Sequence, residues 1–454
     1  MSLPIMPTQV LVVGGGGREH ALAWKLAREP GINRVIVAPG SAAIGLEPRV
    51  TVSPDVDPLD GGALVRLART NSVELVVIGP EAPLAAGVAD DLREAGIATF
   101  GPSEAAARIE SSKGFCHEIA AAAGIPMADS RTFEGLEPAR AYAADLAGAG
   151  RGLVVKADGL AGGKGVFVCD DLRAAERALG ELFAARGGTV VIEERLSGRE
   201  ASVIVLSDGR DCVALPPARD HKRLGDDEAG PNTGGMGAYS PVPDLPESTV
   251  NLIVAAFHRP ALAELARPGT PFVGALYAGL MLTDRGPVLL EFNARLGDPE
   301  TQVILPRLAI ALGPLLLACA REQLSSAVRA FDEGMRPATG STHGTTIPTI
   351  DRAAVGIVLA AQGYPGRPRT GDLIEGLDAV PAGALVFHSG TSRDASSGRW
   401  RTLGGRVLTV VGTGRDLTVA RDAANDAAHV ISFPGLQRRH DIADRIAEPA
   451  VAGR

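Results

Sequence analysis

The chain has 454 residues, with 45 Lys and Arg against 53 Asp and Glu, a formal net charge of −8 and only 4% aromatic residues. That length implies several domains with sizeable cores, and the acidic balance excludes a nucleic-acid or acidic-membrane binder. Leu308 to Ala320, the longest apolar run, is broken by Gly313-Pro314 and is too short to span a bilayer. Met1 to Pro7 lacks the charged start and apolar middle of a signal peptide. Cys116, Cys169, Cys212 and Cys319 form no Cys-x-x-Cys pair and suit core positions in a reducing cytoplasm. Only five of the cations are lysines: Lys25, Lys113, Lys156, Lys164 and Lys222. A lysine here is therefore a candidate for work that needs a compact point charge, although a coding bias toward Arg gives the same pattern.

In chain order, Gln9 to Val13 reads as a buried strand that ends in Gly14-Gly-Gly-Gly17, with a helix from Arg18 to Arg28. Further strands, Arg34–Ala38 and Glu74–Ile78, end at Pro39-Gly40-Ser41 and Gly79-Pro80-Glu81. Alternating strand and helix predicts a parallel sheet with ligands at the carboxyl ends of its strands. A dinucleotide fingerprint fails in detail: His20 stands where the third glycine belongs, and no acid ends the second strand. A phosphate monoester at the helix start, against Gly16 and Gly17, fits better, and Glu81 can accept from ribose hydroxyls. The competing reading is a tight turn followed by a helix-initiating acid. Gly101-Pro-Ser103 closes this first domain, and Glu104 to Ala123 is predicted as one helical stretch carrying Lys113.

The strand Leu153–Lys156 enters a loop rich in glycine (Gly159, Gly162, Gly163, Gly165), and a strand resumes at Val166–Cys169. Glycine frees backbone N–H groups to wrap phosphate oxygens, and Lys156 adds a point charge at the strand end. Asp158 at the first glycine position and Gly165 after Lys164 exclude a Walker loop, so the spacing predicts a strand–loop–strand phosphate flap or, failing that, a bare hairpin. Thr189 to Glu194 is a strand leading into Glu193-Glu194-Arg195-Leu196. Its backbone can meet an adenine edge, with Glu200 on the ribose, or the acids are surface residues. Ala218 to Ser240 is a long polar loop of the kind that is functional or disordered.

Val288 to Glu300 then runs as a strand into a turn. Side chains alternate along a strand, so Glu291, Asn293 and Arg295 share one face while Phe292, Ala294 and Leu296 take the apolar one. A carboxylate and an amide oxygen at strand spacing supply two hard ligands for Mg²⁺, and Arg295 can face an anion held by the same metal. Asn251–Leu265 and Pro306–Val328 read as helical. Strands at Ala354–Ala361, Ala384–His388 and Gly405–Val411 and a helix at Leu417–Val430 make residues 331–446 a small α+β domain, before a tail at 447–454.

Several stretches together carry a family likeness. They are Gly14-Gly-Gly-Gly-Arg-Glu-His-Ala-Leu-Ala-Trp24, Gly79-Pro-Glu-Ala-Pro-Leu84, Lys156-Ala-Asp-Gly-Leu-Ala-Gly-Gly-Lys-Gly-Val166, Asp220-His-Lys-Arg223, Pro231-Asn-Thr-Gly-Gly-Met-Gly-Ala-Tyr-Ser-Pro241 and Glu291-Phe-Asn-Ala-Arg-Leu-Gly-Asp-Pro-Glu-Thr301. In this order they resemble the phosphoribosylamine–glycine ligase (glycinamide ribonucleotide synthetase) family of ATP-grasp enzymes over nearly the whole chain. The resemblance implies an α/β and α+β multidomain fold. Its parts would be a parallel pre-ATP-grasp domain (1–103), a connecting helix (104–127), a lid (128–192), a catalytic subdomain (193–330) and the C-terminal domain.

The resemblance implies ATP, glycine and 5-phosphoribosylamine as small-molecule substrates, no nucleic-acid or membrane partner, and a cytoplasmic monomer. It implies Mg²⁺ or Mn²⁺ on Glu291 and Asn293, and ATP on Lys113, Lys156, the flap glycines, Glu193, Glu194, Leu196 and Glu200. Arg295, Asp220 and Lys156 are the expected catalytic residues. Gly16, Gly17, Glu81, Asn232, Thr233, Gly237, Asp298 and Glu300 are the expected substrate contacts. Gly163, Leu296 and Ser41 depart from the family pattern, and Tyr277 to Thr283 offers no acid for a second metal. No fused synthetase or transformylase domain is expected. The rivals are another ATP-grasp ligase or carboxylase with a different 220–240 loop, and a catalytically silent nucleotide-binding module.

Overall fold

A computed structural model describes residues 5–159, 165–186, 188–335 and 346–444. Five parallel strands form the first sheet, in the order Val50–Val52, Arg34–Pro39, Gln9–Gly14, Leu75–Ile78, Thr99–Phe100. Val10 to Val13 are fully buried, as a strand covered on both faces requires. The order reverses beside the central strand Gln9–Gly14, so the helix Gly17–Ala27 starts at a crevice where the strands' carboxyl ends open.

The predicted single helix after residue 104 is two, Glu104–Ser111 and Lys113–Ala122. Ser112 adopts extended backbone between them, and its hydroxyl accepts from Phe115 N at 3.1 Å, an N-cap that starts a new helix at Lys113. Propensity in this Ala-rich stretch favours continuity; the cap interrupts it.

The lid is a four-stranded antiparallel sheet, ordered Ser130–Phe133, Val190–Glu194, Leu153–Ala157, Val166–Cys169. It has its own core with the helices Leu136–Gly148 and Leu172–Arg186. The flap residues Leu160 to Lys164, with Gly162 and Gly163, lie outside the described residues. A second antiparallel sheet, Cys212–Ala214, Arg199–Asp208, Val273–Thr283, Gly286–Asn293, faces the lid.

The last sheet is ordered Arg219–Asp220, Gly237–Ser240, Ala353–Ala360, Arg406–Gly414, Leu385–His388, backed by the helix Leu417–His429. Its first two strands come from the long polar loop, which the sequence alone places in the preceding unit. Within that loop Arg223–Gly225 and Ala229–Asn232 form a two-stranded ribbon. The C-terminal part is thus stitched into the chain's middle by backbone hydrogen bonding. Among the described residues, no helix is long and apolar enough to cross a membrane.

Candidate active site

One cavity of about 970 Å³ takes its walls from all of these units. That is at the upper end of the volumes of small-molecule sites. Its floor is the strand Gly286–Asn293. Phe292 and Ala294 are buried in the core, while Glu291, Asn293 and Arg295 line the cavity, as period-2 alternation requires. The pairing with Val273–Thr283 runs Gly279↔Glu291 and then Leu280↔Leu289, so Leu290 is an extra, bulged residue. The bulge gives Leu290 a free carbonyl, which accepts from Lys156 Nζ at 3.2 Å.

Lys113, first residue of its helix, places Nζ 3.0 Å from Glu291 Oε2, and its backbone N–H is capped by Asp158 Oδ1 at 2.5 Å. Burial pushes the Glu291 carboxyl up, but Lys113, Lys222 and Lys156 outweigh it and hold the group below the usual carboxylate range. Asn293 Nδ2 donates to Glu291 Oε1 at 3.3 Å. An ionised carboxylate and a carboxamide oxygen on one strand face fit a hard divalent cation that completes its shell with phosphate and water. Among the described residues no trio of His, Cys, Asp or Glu forms a closed metal cage.

Lys156 is 6% exposed and paired at 2.7 Å with Glu193 Oε2. Glu193 Oε1 meets His117 Nε2 at 2.9 Å, and His117 Nδ1 meets Ser130 Oγ at 3.0 Å. The Glu193 carboxylate therefore holds Lys156, and only its backbone is left for a nucleotide. Glu194 pairs with Arg151, while Leu196, Gly159 and Gly165 line the cavity. Glu200, expected on a ribose, meets Lys222 Nζ at 3.0 Å.

On the opposite wall Gly16 N–H is already taken by Glu19 Oε2 at 2.7 Å. Glu19 is 2% exposed, and a Cβ on Gly79 would lie 2.1 Å from its Oε1, which is why the loop after the strand Leu75–Ile78 needs glycine there. Glu81 lies 3.5 Å from Arg295 Nε and 3.9 Å from Arg18 Nη2. Arg295 also meets Glu110 Oε1 at 3.1 Å, whose other oxygen accepts from Ala294 N at 2.8 Å.

Two expected substrate contacts fall elsewhere. Gly17 packs under the C-terminal domain, where a Cβ would meet Ser389 Oγ at 2.5 Å, and Gly237 lies against Gly356 O inside the last sheet. Neither lines the cavity; their glycines serve close packing. Asn232 and Thr233 do line it, with Thr233 Oγ1 donating to Lys222 O at 2.8 Å. Asp298 accepts from Gln302 Nε2 at 2.6 Å and pairs with Arg406 Nη2 at 3.0 Å. Arg406 also donates to the carbonyls of Gly234 (2.5 Å) and Asp298 (2.6 Å), so the C-terminal domain completes the wall.

Residues missed from the sequence are thus Glu19, Glu110, His117 and Arg406. Glu19, three residues after Gly16, is the one with a local signal, a capping-box spacing.

Asp220 and Glu300 are buried on the remaining wall. Burial, then Glu300 and Glu200, push Asp220 up to about 8 against the pull of Lys222. An unfolded aspartate titrates near 4, so between about pH 4 and 8 the folded chain keeps a proton that the unfolded chain has released. Stability from this group therefore falls as pH rises through that window. Ligand-free Asp220→Asn melts several degrees above the parent near pH 8.5, and the gap narrows toward about pH 5. Calorimetry at both pH values checks this, and an equal gap at both refutes it.

A lid sheet and a catalytic sheet closing on a nucleotide-sized cavity, with an acid–amide pair on the floor and two lysines above it, define an ATP-grasp ligase. Three family models divide the chain between them: the phosphoribosylglycinamide synthetase N domain (residues 8–110), ATP-grasp (A) domain (111–301) and C domain (354–445). The chain belongs to the phosphoribosylamine–glycine ligase (phosphoribosylglycinamide synthetase) family. It is 47% identical to the phosphoribosylamine–glycine ligase of Streptomyces coelicolor, over 97% of this chain and 99% of that one. Against the Vibrio parahaemolyticus ligase it is 43% identical over 96% and 98%. The Thermotoga maritima ligase crystal structure matches with a TM-score of 0.76 at 33% identity, covering 96% of this chain and all of that one. The biotin carboxylase domain of Hydrogenobacter thermophilus 2-oxoglutarate carboxylase, solved with MgADP and bicarbonate, shares the fold at 18% identity and a TM-score of 0.67, over 96% and 92%.

Proposed function

We propose that the chain joins glycine to 5-phosphoribosylamine, converting ATP to ADP and phosphate and giving glycinamide ribonucleotide, the second step of de novo purine biosynthesis. The observation that carries this reading is a cavity in which Lys113 and Lys156, the acid–amide pair Glu291 and Asn293 and the first sheet's carboxyl-end crevice converge. The names of the full-length relatives support it.

A carboxylate does not react with an amine at neutral pH, because its oxygen is too poor a leaving group. Transfer of the ATP γ-phosphoryl group to a glycine carboxylate oxygen gives glycyl phosphate and releases ADP. The ribosylamine nitrogen then attacks the glycyl carbon, the C–O bond to phosphate breaks, and the nitrogen loses a proton. Such transfers need positioning and charge neutralisation more than covalent help. Lys113 and Lys156 neutralise the ATP phosphates, Arg295 faces the glycine carboxylate, and Glu291 and Asn293 hold Mg²⁺ or Mn²⁺. An ion held by Glu291 and Asn293 would supply positive charge beside the phosphates that Lys113 and Lys156 neutralise. In the first domain's crevice the phosphoribosyl group lies against Gly16, with Glu81 accepting from its ribose hydroxyls. Glu194, Leu196 and the backbone of Glu193 face the adenine, with Glu200 near the ribose of ATP. Asn232, Thr233 and Asp298 close the acceptor side. The enzyme works as a cytoplasmic monomer on small molecules alone.

The test is ADP release from purified protein with ATP, Mg²⁺ and glycine, with and without 5-phosphoribosylamine. Release that requires both glycine and the ribosylamine is the expected result. Release driven by another carboxylate substrate, or none at all, removes the reading.

A further inference from the structure

His117 stands behind the cavity wall: Lys156 and Glu193 line the cavity, and His117 does not. It sits one turn into the helix Lys113–Ala122, at i+4 from Lys113 and therefore on the same face. That face meets the lid sheet. Ser130 on the sheet's edge strand pairs in register with Glu193, Glu193 lies opposite Val154, and Lys156 is two residues along from Val154. The side chains of Ser130, Glu193 and Lys156 therefore share one face of the sheet. The His117 ring bridges two of them, with Nε2 2.9 Å from Glu193 Oε1 and Nδ1 3.0 Å from Ser130 Oγ. Lys113 on the same helix holds Glu291 Oε2 at 3.0 Å, so one helix grips both the floor and the lid.

Burial pushes the Glu193 carboxyl up, but Lys156 and His117 outweigh it and hold the group below the usual carboxylate range. An ionised carboxylate only accepts, so His117 Nε2 carries the hydrogen, and Nδ1 accepts from the Ser130 hydroxyl when the ring is neutral. Among the described residues each Glu193 oxygen then has one side-chain donor: Oε1 the imidazole, Oε2 the Lys156 ammonium at 2.7 Å. That ammonium has three N–H donors. Glu193 Oε2 and the Leu290 carbonyl take two, which leaves the third for a ligand in the cavity. Without His117, Oε1 is a buried acceptor with no donor, and the carboxylate relieves that by turning further onto the lysine. Lys156 then gives to Glu193 what it otherwise gives to a phosphate.

We propose that His117 is a positioning residue for ATP: it holds Glu193 from the core side, keeps the third N–H of Lys156 aimed at the phosphates, and fixes the lid strands over the floor. This rests on the reading above, in which Lys156 neutralises the ATP phosphates. The effect falls on the phosphate end of the nucleotide, where Lys156 acts, and leaves the glycine and ribosylamine sites untouched.

The test is calorimetric titration of the full chain with Mg²⁺ and a non-hydrolysable ATP analogue, or with adenosine, beside the KM of each substrate. His117→Leu should weaken the analogue about 10-fold, the fold-change for one lost hydrogen bond to a charged group, and raise the KM for ATP in step. Adenosine affinity and the KM values for glycine and 5-phosphoribosylamine should stay at the parent's. His117→Gln, whose amide N–H can still donate to Glu193, should restore most of the analogue's affinity. Ser130→Ala should weaken the analogue by less, about 5-fold, and serves if His117→Leu does not fold. Parent-like analogue binding in His117→Leu, or in Ser130→Ala where that variant has to serve, overturns the proposal. So does an equal loss for the analogue and adenosine, or a loss that His117→Gln does not restore, since the role is then structural. If the analogue weakens as expected yet ADP release never needs glycine and the ribosylamine, the positioning role stands and the proposed reaction fails.

Discussion

Glu291→Gln lowers ADP formation on the order of 10²–10³-fold, and the double variant with Asn293→Ala leaves only background, while the fold persists. Glu291→Gln exchanges the anionic oxygens on the cavity floor for a neutral amide oxygen, and Asn293→Ala removes the second hard oxygen altogether. The amide of Gln keeps the shape of Glu291 but cannot supply the charge that Lys113, Lys222 and Lys156 stabilise. Stability changes modestly, because Lys113 opens onto the cavity and its freed ammonium can be hydrated. The depressed Glu291 carboxyl contributes stability above its unfolded value near 4.3, lost as pH falls through its lower folded value. The parent and Glu291→Gln therefore converge in melting temperature at strongly acid pH. Two measurements check the assignment: ADP formation titrated with Mg²⁺, and direct Mn²⁺ binding by electron paramagnetic resonance in the presence of ADP. Undiminished turnover and Mn²⁺ binding in a folded double variant would falsify it.

Lys156→Arg costs turnover far more than stability. The ammonium sits between Glu193 Oε2 at 2.7 Å and the bulged Leu290 carbonyl at 3.2 Å, beside a half-buried Glu193–His117–Ser130 chain. A compact point charge fits between them; the longer planar fork of Arg must displace the phosphates or the bulge. Phosphates displaced relative to Glu291 and Asn293, which would hold the metal, slow transfer by about 10²-fold or more. Overpacking costs about 1–3 kcal/mol, a few degrees in a domain of this size. Single-turnover kinetics beside differential scanning calorimetry separate the two effects. A variant that turns over like the parent would remove Lys156 from the phosphate site.

Glu291, Asn293 and Arg295 were legible because strand alternation is a local rule: two residues along, one face. The parallel first sheet was legible for the same reason, from short apolar runs separated by helical periodicity and glycine turns. Lys156 stood out because this chain otherwise meets its need for positive charge with Arg.

What surrounds those residues was not legible. Lys113 meets Glu291 across 178 positions of sequence, Glu110 meets Ala294 across 184, and Lys156 meets the Leu290 carbonyl across 134. Such contacts leave no period and no cap in the sequence. Glu110 on its Ala-rich helix reads as a surface acid until the fold presses it against Arg295. Gly17 was expected at a phosphate and Gly237 at a substrate, since a glycine required by a ligand and one required by a neighbouring backbone look alike in one dimension. The chain by itself determined the parallel first sheet, the cations and the acid–amide pair, because these follow from local backbone geometry and side-chain chemistry. Only the tertiary structure decided that Glu193 turns its carboxylate to Lys156, that Arg406 closes the wall and that Asp220 is buried beside Glu300 and Glu200. Those outcomes depend on which distant segments exclude water from one another, and burial sets both the strength of a charge and the cost of leaving it alone.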